Sequence, residues 1–224
     1  MSPAPFLVPV KMSYFSDSPL CDDKLRKSVI RDIIPLMPDR IRTLWDVFST
    51  DALATINARR FSDNAVCNAV SPERAKLMVG IRDGRIRSVD GIPDRSVDVF
   101  RRALVGVTIL SSPYDYGWGD NALDGDFVLC CPPAVGSRYV TPKGAVSVWD
   151  VSDEESLLLK LSESVKSGAD FGAVLSLFRN GKPDRVAIEF CEKNGYPYRR
   201  VGNVNVFSRG TTADDMVYAT NLKL

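Results

Sequence analysis

The sequence predicts an α+β protein in which a helical N-terminal lobe is followed by a mixed, mainly antiparallel sheet with one or two covering helices. Two patterns predict this class. Before residue 104 the apolar residues recur at helical spacing, whereas after it short β-branched and aromatic runs alternate with Gly and Pro turns. Three parts are expected: an extended arm over 1–20, an arginine-rich helical lobe over 21–104 and a β-rich lobe over 105–224, with one continuous domain as the alternative.

Helix signals fill the first half of the chain. Ile41, Leu44, Trp45 and Phe48 form an apolar stripe at helical spacing, and Ser71 followed by Pro72 is a typical helix start. Helices are therefore expected over 22–34, 38–48, 51–60, 71–84 and 92–104.

The second half carries strand signals, the clearest being the alternation of Val186, Ile188 and Phe190 with smaller or polar residues. Two helices interrupt them, one that begins at a capping box in 152–155 and one over 169–179. Strands are expected over 104–110, 127–131, 145–151, 186–191, 201–207 and 216–222.

The chain contains no histidine among its 224 residues. This excludes catalytic triads and dyads that need an imidazole, histidine-ligated zinc, haem and copper sites, and a histidine-based pH switch. Catalysis by carboxylate, lysine or tyrosine survives, as do chemistry carried by a bound cofactor and function without catalysis. We predict no cofactor from the residues themselves.

The five cysteines are an odd set without a CxxC pair, which predicts free thiols and a reducing, intracellular compartment such as the cytoplasm. Cys130 and Cys131 are expected to be a buried structural pair. Prolines interrupt the only apolar stretch near the N-terminus, so a signal peptide is not expected. No run approaches the length of a membrane span, and we expect a protein without a membrane partner.

Charge is unevenly distributed, although the whole chain has 29 basic and 28 acidic residues. The range 1–104 has a net charge of +4 and contains 13 of the 19 arginines. Guanidinium groups suit phosphates, and two tyrosines flank the arginines of 194–200, so these groups predict contact with RNA or another polyanion. The candidate nucleic-acid-binding residues are Arg40, Arg42, Arg59, Arg60, Arg85, Arg87, Arg101, Arg102, Tyr196, Tyr198, Arg199 and Arg200.

The segment 112–126 collects four aspartates with three glycines, which is typical of a long exposed loop. Its spacing is not that of an EF-hand, and we predict no metal. The alternative is a histidine-independent enzyme that uses these carboxylates with Mg²⁺. The aspartates are Asp115, Asp120, Asp124 and Asp126.

No family's motifs match residue by residue, and neither GxGxxG nor GxxxxGK[ST] occurs. The run 144–150 resembles sheet segments of viral structural and movement proteins. With the missing imidazole and the clustered arginines, this favours a non-catalytic assembly or binding protein of a viral structural or accessory type, which self-associates into a homo-oligomer. A protein–protein adaptor is a further alternative.

Overall fold

A computed structural model describes residues 33–49, 52–89, 93–133, 135–176, 178–179, 182–183, 185–201 and 216–224. Seven of its strands form one central sheet, and two short hairpins stand apart from that sheet. The strands are β1 (Ile41–Ser49), β2 (Ser62–Ala69), β3 (Val107–Leu110), β4 (Phe127–Cys130), β5 (Arg138–Val140), β6 (Val146–Val148), β7 (Asp170–Ser176), β8 (Phe178–Arg179), β9 (Lys182–Pro183), β10 (Tyr198–Val201) and β11 (Met216–Thr220).

The order in the sheet is β10-β11-β7-β4-β1-β2-β3. Strands β3, β2, β1, β4 and β7 are all parallel, while β11 lies antiparallel to β7, and β10 lies antiparallel to β11. In sequence order, β2 and β3 extend the sheet on one side of β1. Strand β4 then pairs with the other side of β1, and β7 continues the sheet from β4. This reversal between β1 and β4 is the topological switch point of an open α/β sheet.

Apolar side chains cover both faces of the sheet, as parallel sheets require. Along β4, Phe127 and Leu129 belong to one buried cluster, whereas Val128 and Cys130 belong to the other. Helices cover each face, so the molecule has helix, sheet and helix layers. The helices are α1 (Leu53–Ala58), α2 (Pro72–Arg82), α3 (Asp94–Ala103), α4 (Trp118–Asn121), α5 (Val151–Lys166) and α6 (Val186–Asn194).

Two helix starts follow the sequence closely. Ser71 caps α2, accepting a hydrogen bond from the backbone N–H of Arg74 at 3.3 Å, with Pro72 in the first turn as expected. The predicted capping box exists, but Asp150 and Asp153 form it, so α5 begins at Val151. The helix expected over 92–104 is also confirmed, as α3.

The predicted fold class is wrong, because this is an α/β fold with a mostly parallel sheet. The stripe of Ile41, Leu44, Trp45 and Phe48 fits a helix, yet it lies in β1, an interior strand of the sheet. A strand covered on both faces accepts apolar residues at every position, so its pattern imitates other periods. The sheet joins strands from both sides of residue 104, while the three-part division of the chain stays a prediction.

Two assignments in the second half are reversed. Residues 186–191 form the start of helix α6 rather than a strand, and Ala187 and Cys191 are buried at a spacing of four. The predicted helix over 169–179 is mostly strand β7, in which residues 171–175 are all buried.

Several expectations lie outside the described residues: the arm over 1–20, Cys21, most of the helix over 22–34, and all but the first residue of the strand over 201–207. Within the described residues, none of the helices has the length and apolarity to cross a bilayer.

Candidate functional site at the carboxyl edge of the sheet

A cavity of about 220 Å³ opens at the carboxyl ends of β1, β2 and β3. It lies beside the switch point between β1 and β4, where open α/β sheets bind their ligands. The β5–β6 hairpin, inserted after β4, forms one of its walls. The lining residues are Phe48, Asn68, Ala69, Val70, Ser112, Pro113, Tyr114, Pro133, Tyr139, Val140 and Pro142.

Phe48 ends the regular part of β1 in an unusual backbone conformation. Its φ is 64°, and that of Ala52 is 55°; these two are the non-glycine residues with positive φ in the described chain. The register between β1 and β2 also shifts between Val47 and Ser49. Left-handed backbone costs about 1–2 kcal/mol at a residue with a side chain. The turn after β1 is therefore held in a costly shape at the point where glycines commonly occur in nucleotide-binding α/β proteins.

Aromatic rings form the floor and side of the cavity. The Phe48 ring stacks on that of Tyr114 with centroids 5.5 Å apart. It makes an edge-to-face contact with the ring of Trp149, with centroids 5.1 Å apart. The ring of Tyr139, on β5, contacts Trp149 from the hairpin at 5.7 Å. Offset and edge-to-face contacts of this kind stabilise by about 0.5–1.5 kcal/mol each beyond area burial. We call Phe48, Tyr114, Tyr139 and Trp149 the aromatic cluster.

The two tyrosines of this cluster are poor proton acceptors or donors in catalysis near neutral pH. Burial, with the nearby carboxylate of Asp115, raises the pKa of Tyr114, and burial with the carboxylate of Asp153 raises that of Tyr139. Both phenols remain neutral there and offer hydroxyl groups and ring faces for binding.

Asn68, at the end of β2, holds the next wall in place. Its side-chain amide donates to the carbonyls of Ser112 and Pro113, each at 3.1 Å, and its oxygen accepts from the N–H of Ser112 at 3.0 Å. Trp118 adds a second anchor by donating from Nε1 to the carbonyl of Tyr114 at 2.6 Å. The segment after β3 is thus fixed in position before any ligand arrives.

Asp46 is a buried carboxylate in β1, two residues before Phe48. Its Oδ2 accepts from the hydroxyls of Ser49 and Thr55 and from the N–H of Thr55. Burial raises the pKa of Asp46 from 3.8 to about 6, although these hydrogen bonds oppose the change. The carboxylate ties the turn after β1 to helix α1.

Three buried polar atoms without a hydrogen-bond partner belong to residues next to the cavity lining. Buried side-chain atoms without a hydrogen-bond partner include Oδ1 of Asp46, Oγ of Ser111 and Nε1 of Trp149. Asp46 precedes Phe48 in β1, Ser111 adjoins the lining residue Ser112, and Trp149 packs on the three lining rings. Such orphaned groups are rare in folded proteins, and none of these three residues lines the cavity.

The structure does not bring the four aspartates of 112–126 together. Asp115 pairs with Lys160 at 3.1 Å, and the buried Asp126 receives two hydrogen bonds from Arg42. The segment also contains helix α4 and the fully buried Trp118, so it differs from the predicted exposed loop. In the described part of the chain, no three acidic or cysteine side chains are grouped as metal ligands would be.

The candidate nucleic-acid-binding residues lie in two regions, both outside the cavity. Tyr196, Tyr198, Arg199 and Arg200 surround β10, at one edge of the sheet. The eight candidate arginines of the first half lie at or near the amino ends of the strands, opposite the cavity: Arg40 and Arg42 by β1, and Arg59, Arg60, Arg85, Arg87, Arg101 and Arg102 by β2 and β3. Their role in binding stays a prediction.

The described cysteines, Cys67, Cys130, Cys131 and Cys191, are free and buried. Burial raises the pKa of Cys130 well above that of an ordinary thiol. The expectation of a buried Cys130–Cys131 pair is confirmed.

No protein-family model matches the chain, and no curated protein matches it by sequence. Solved structures do match. The C-terminal domain of precorrin-6Y C5,15-methyltransferase from Rhodobacter capsulatus superimposes with a TM-score of 0.53 and 14% identity, covering 91% of this chain and 94% of that one. The shared fold is an open, mostly parallel α/β fold of the Rossmann type.

Two further structures agree with this fold. Precorrin-6Y C5,15-methyltransferase from Geobacter metallireducens has a TM-score of 0.51, 15% identity and coverage of 91% and 94%. A SAM-dependent methyltransferase from Agrobacterium tumefaciens has a TM-score of 0.52 and 11% identity, covering 85% of this chain and 58% of that one. Identities this low establish the α/β fold and nothing finer.

The prediction of a non-catalytic assembly protein of a viral structural type is wrong, because these structural neighbours are methyltransferases and none is a viral structural protein. The adaptor alternative falls with it. The Mg²⁺-dependent alternative also fails, since its four carboxylates are dispersed. Sequence reasoning missed Phe48, Asn68, Tyr114 and Tyr139 because their positions at strand ends emerge only from a correct strand assignment.

Proposed function

We propose that this protein is a methyltransferase whose methyl donor is S-adenosylmethionine, bound in the cavity at the carboxyl ends of β1, β2 and β3. The observation that carries the proposal is the position of this cavity at the switch point of a fold shared with methyltransferases. Ligands of open α/β sheets bind at that point because the connections diverge there and leave a crevice.

The residues around the cavity suit the donor in two respects. The faces of Phe48, Tyr114 and Tyr139 offer stacking surface for a purine, and aromatic faces also attract a cation such as a sulfonium. The hydroxyl groups of Tyr114 and Tyr139 add hydrogen-bonding groups to this lining.

Two residues depart from the usual dinucleotide-binding pattern. Phe48 occupies a left-handed position at the end of β1, where a glycine-rich turn commonly approaches the ligand, and its ring fills space beside the cavity. Asn68 occupies the end of β2, where a carboxylate commonly binds a ribose, and its amide is committed to Ser112 and Pro113. We therefore propose binding through ring faces rather than through a close glycine backbone.

The donor supplies an electrophilic methyl group, so transfer forms one bond from the acceptor to the methyl carbon while the carbon–sulfur bond breaks and its electron pair stays on sulfur. The chain's task is to orient this centre and exclude water. Phe48, packed against Trp149, gives the cavity a dry wall, and Asn68 fixes the segment after β3. The absence of histidine does not conflict with this chemistry, because no imidazole is needed to activate the methyl group.

A labelled-methyl assay tests the reaction. The full chain is incubated with S-adenosylmethionine carrying a tritiated methyl group and with separated total RNA and total protein as acceptors, and label in precipitated acceptor is counted. Tyr114→Ala removes a ring from the cavity, whereas Tyr116→Ala alters a ring in the same segment that is 57% exposed and does not line it. We expect incorporation with the unaltered chain and Tyr116→Ala, and a loss of at least tenfold with Tyr114→Ala. Equal incorporation by the two variants, or none above a heated control, would overturn the proposal.

A further inference from the structure

Six arginines form a continuous group at the amino end of β3, on the opposite side of the sheet from the cavity. Arg59 donates to the carbonyls of Ala103 and Val105, and Arg82 donates to that of Val107 at 3.0 Å. These hydrogen bonds bring two arginines to the turn between α3 and β3. We call the group the arginine cluster; its members are Arg59, Arg82, Arg85, Arg87, Arg101 and Arg102.

The remaining members adjoin this turn through the loop after α2. Arg85 shares the carboxylate of Asp83 with Arg82, and Arg87 donates to the carbonyl of Gly84. A Cβ at Gly84 would lie 3.6 Å from a guanidinium nitrogen of Arg101, so the loop and the end of α3 are in contact.

The arginine cluster has a strong local excess of positive charge. Among the described residues its members pair with two carboxylates, Asp83 and Asp98, so these eight groups have a net charge of +4, whereas the whole chain has +1. The cluster is exposed, with side-chain exposures of 67% for Arg85 and 39% for Arg101. This is a concentrated positive field on an otherwise balanced protein.

The guanidinium groups are held in place yet retain donors. Each carries five N–H groups, and contacts within the described residues use at most two nitrogens of any one of them. Backbone carbonyls of the loop, of helix α3 and of β3 accept from four of these groups, those of Arg59, Arg82, Arg87 and Arg102. A guanidinium group that is already fixed in position binds phosphate through two N–H groups at a reduced cost in side-chain entropy.

We propose that the arginine cluster binds the phosphate backbone of a nucleic acid. A nucleic acid is favoured over a membrane because Val105 is the one large, mostly exposed apolar side chain in the described segments that form the cluster, and interfacial elements bury a whole apolar face. Strand β2 has eight residues at about 3.3 Å each, so the cluster, at the amino edge of the sheet, lies roughly 25 Å from the cavity. A nucleic acid held there would be anchored away from the cavity. The proposal stands independently of the proposed reaction.

The test is fluorescence anisotropy with a labelled single-stranded RNA of about 20 nucleotides, measured at several salt concentrations. The variant Arg85→Gln/Arg87→Gln/Arg102→Gln removes three exposed charges of the cluster. The variant Lys166→Gln/Lys193→Gln/Lys223→Gln removes three exposed charges elsewhere and is the matched control. Log affinity falls linearly with log salt. For a single strand, removing one charge that neutralises a phosphate makes this negative slope shallower by about 0.7.

We expect the arginine variant to make that slope shallower by about 2 and to lower the affinity by at least tenfold, while the lysine variant changes the affinity less than threefold. The corresponding Arg→Lys triple should keep most of the slope, and circular dichroism checks that all variants are folded. Equal losses in both Gln variants, or no salt-dependent binding by the unaltered chain, would overturn the proposal. Binding to phosphatidylserine vesicles that depends on the arginines, without binding to RNA, would assign the cluster to a membrane instead. Donor binding is measured separately, so failure of the reaction and failure of RNA binding are distinguishable.

Discussion

The ring of Phe48 lies stacked on the ring of Tyr114, with centroids 5.5 Å apart and planes inclined by 21°. This stacking joins the end of β1 to the segment after β3. In the sheet, β2 lies between β1 and β3. The stacking closes the floor of the cavity. The backbone of Phe48 adopts a left-handed conformation to place its ring there.

At position 48 we expect the glycine variant to be more stable than the alanine variant, the reverse of their usual order. Phe48→Ala removes a buried ring, which costs about 3–5 kcal/mol, and keeps a side chain at positive φ. Phe48→Gly removes the same ring but relieves the backbone, so it should be more stable than Phe48→Ala by about 1 kcal/mol. Urea denaturation of both variants measures the difference. A glycine variant less stable than the alanine variant would show that the turn is not strained at this residue.

Asp46 should make stability fall as pH rises. Its pKa is raised from 3.8 to about 6 in the folded chain, so the native state holds the proton more tightly than the unfolded state. Its contribution to stability is therefore greatest below about pH 4, declines between pH 4 and 6, and is lost above that. A change in pKa of this size corresponds to about 3 kcal/mol at full burial.

The measurement is the free energy of unfolding from pH 4 to pH 7 for the unaltered chain and for Asp46→Asn. The difference between them should drift in favour of the Asn variant as pH rises. Asp150→Asn is the contrasting variant, because hydrogen bonds lower the pKa of that exposed cap: its drift has the opposite sign and occurs below about pH 4, so its difference should stay nearly constant from pH 4 to pH 7. A constant difference across the range for Asp46→Asn would contradict the buried-carboxylate account.

Gly172 is required by the ring of Tyr218 on the neighbouring strand. A Cβ at residue 172 would lie 2.7 Å from Cε2 of Tyr218 and closer still to its hydroxyl. Gly172→Ala should destabilise by about 2 kcal/mol through overpacking, whereas Tyr218→Phe should cost under about 1 kcal/mol, since its buried hydroxyl lacks a hydrogen-bond partner. Because the two residues touch, the double variant should be more stable than the sum of the single effects. Strict additivity in thermal or urea unfolding would count against this contact.

Arg42 is expected to matter for stability. It donates to both oxygens of Asp126 at 2.9 and 2.7 Å, and the carboxylate is 1% exposed. Arg42→Ala leaves that carboxylate buried with one remaining donor, the N–H of Leu123, and should cost about 2–3 kcal/mol. Arg185→Ala is the control, since its pair with Glu192 is exposed and 3.9 Å long, and should cost less than about 1 kcal/mol. Similar costs for both would refute the distinction.

Local signals in the sequence predict local structure well and topology poorly. Ser71 and Pro72 identify a helix start from three or four neighbouring residues, and the structure confirms it. The apolar residues of 41–48 are compatible with both a helix and a buried strand. They form a strand because the segment pairs with β2 and β4, which come from other parts of the chain. At 186–191, Ala187 and Cys191 face the core at helical spacing, while the larger Val186, Ile188 and Phe190 suggest alternation.

The candidate site could not be predicted because it is a product of topology. Phe48, Asn68 and Tyr114 are far apart in sequence and meet only when three parallel strands end at one edge of the sheet. The familiar glycine pattern that reveals such a site is absent here. Sequence reasoning found the arginines but not their arrangement, since the turn at 103–107 gathers members from three separate segments.

Calorimetric titration of the full chain with S-adenosylmethionine tests the central claim most directly. We expect one site per chain with a dissociation constant in the micromolar range, displacement by S-adenosylhomocysteine, and a loss of at least tenfold in affinity with Tyr114→Ala but not with Tyr116→Ala. No binding of either compound up to millimolar concentration, with the chain shown to be folded, would contradict the assignment of the cavity to a methyl donor.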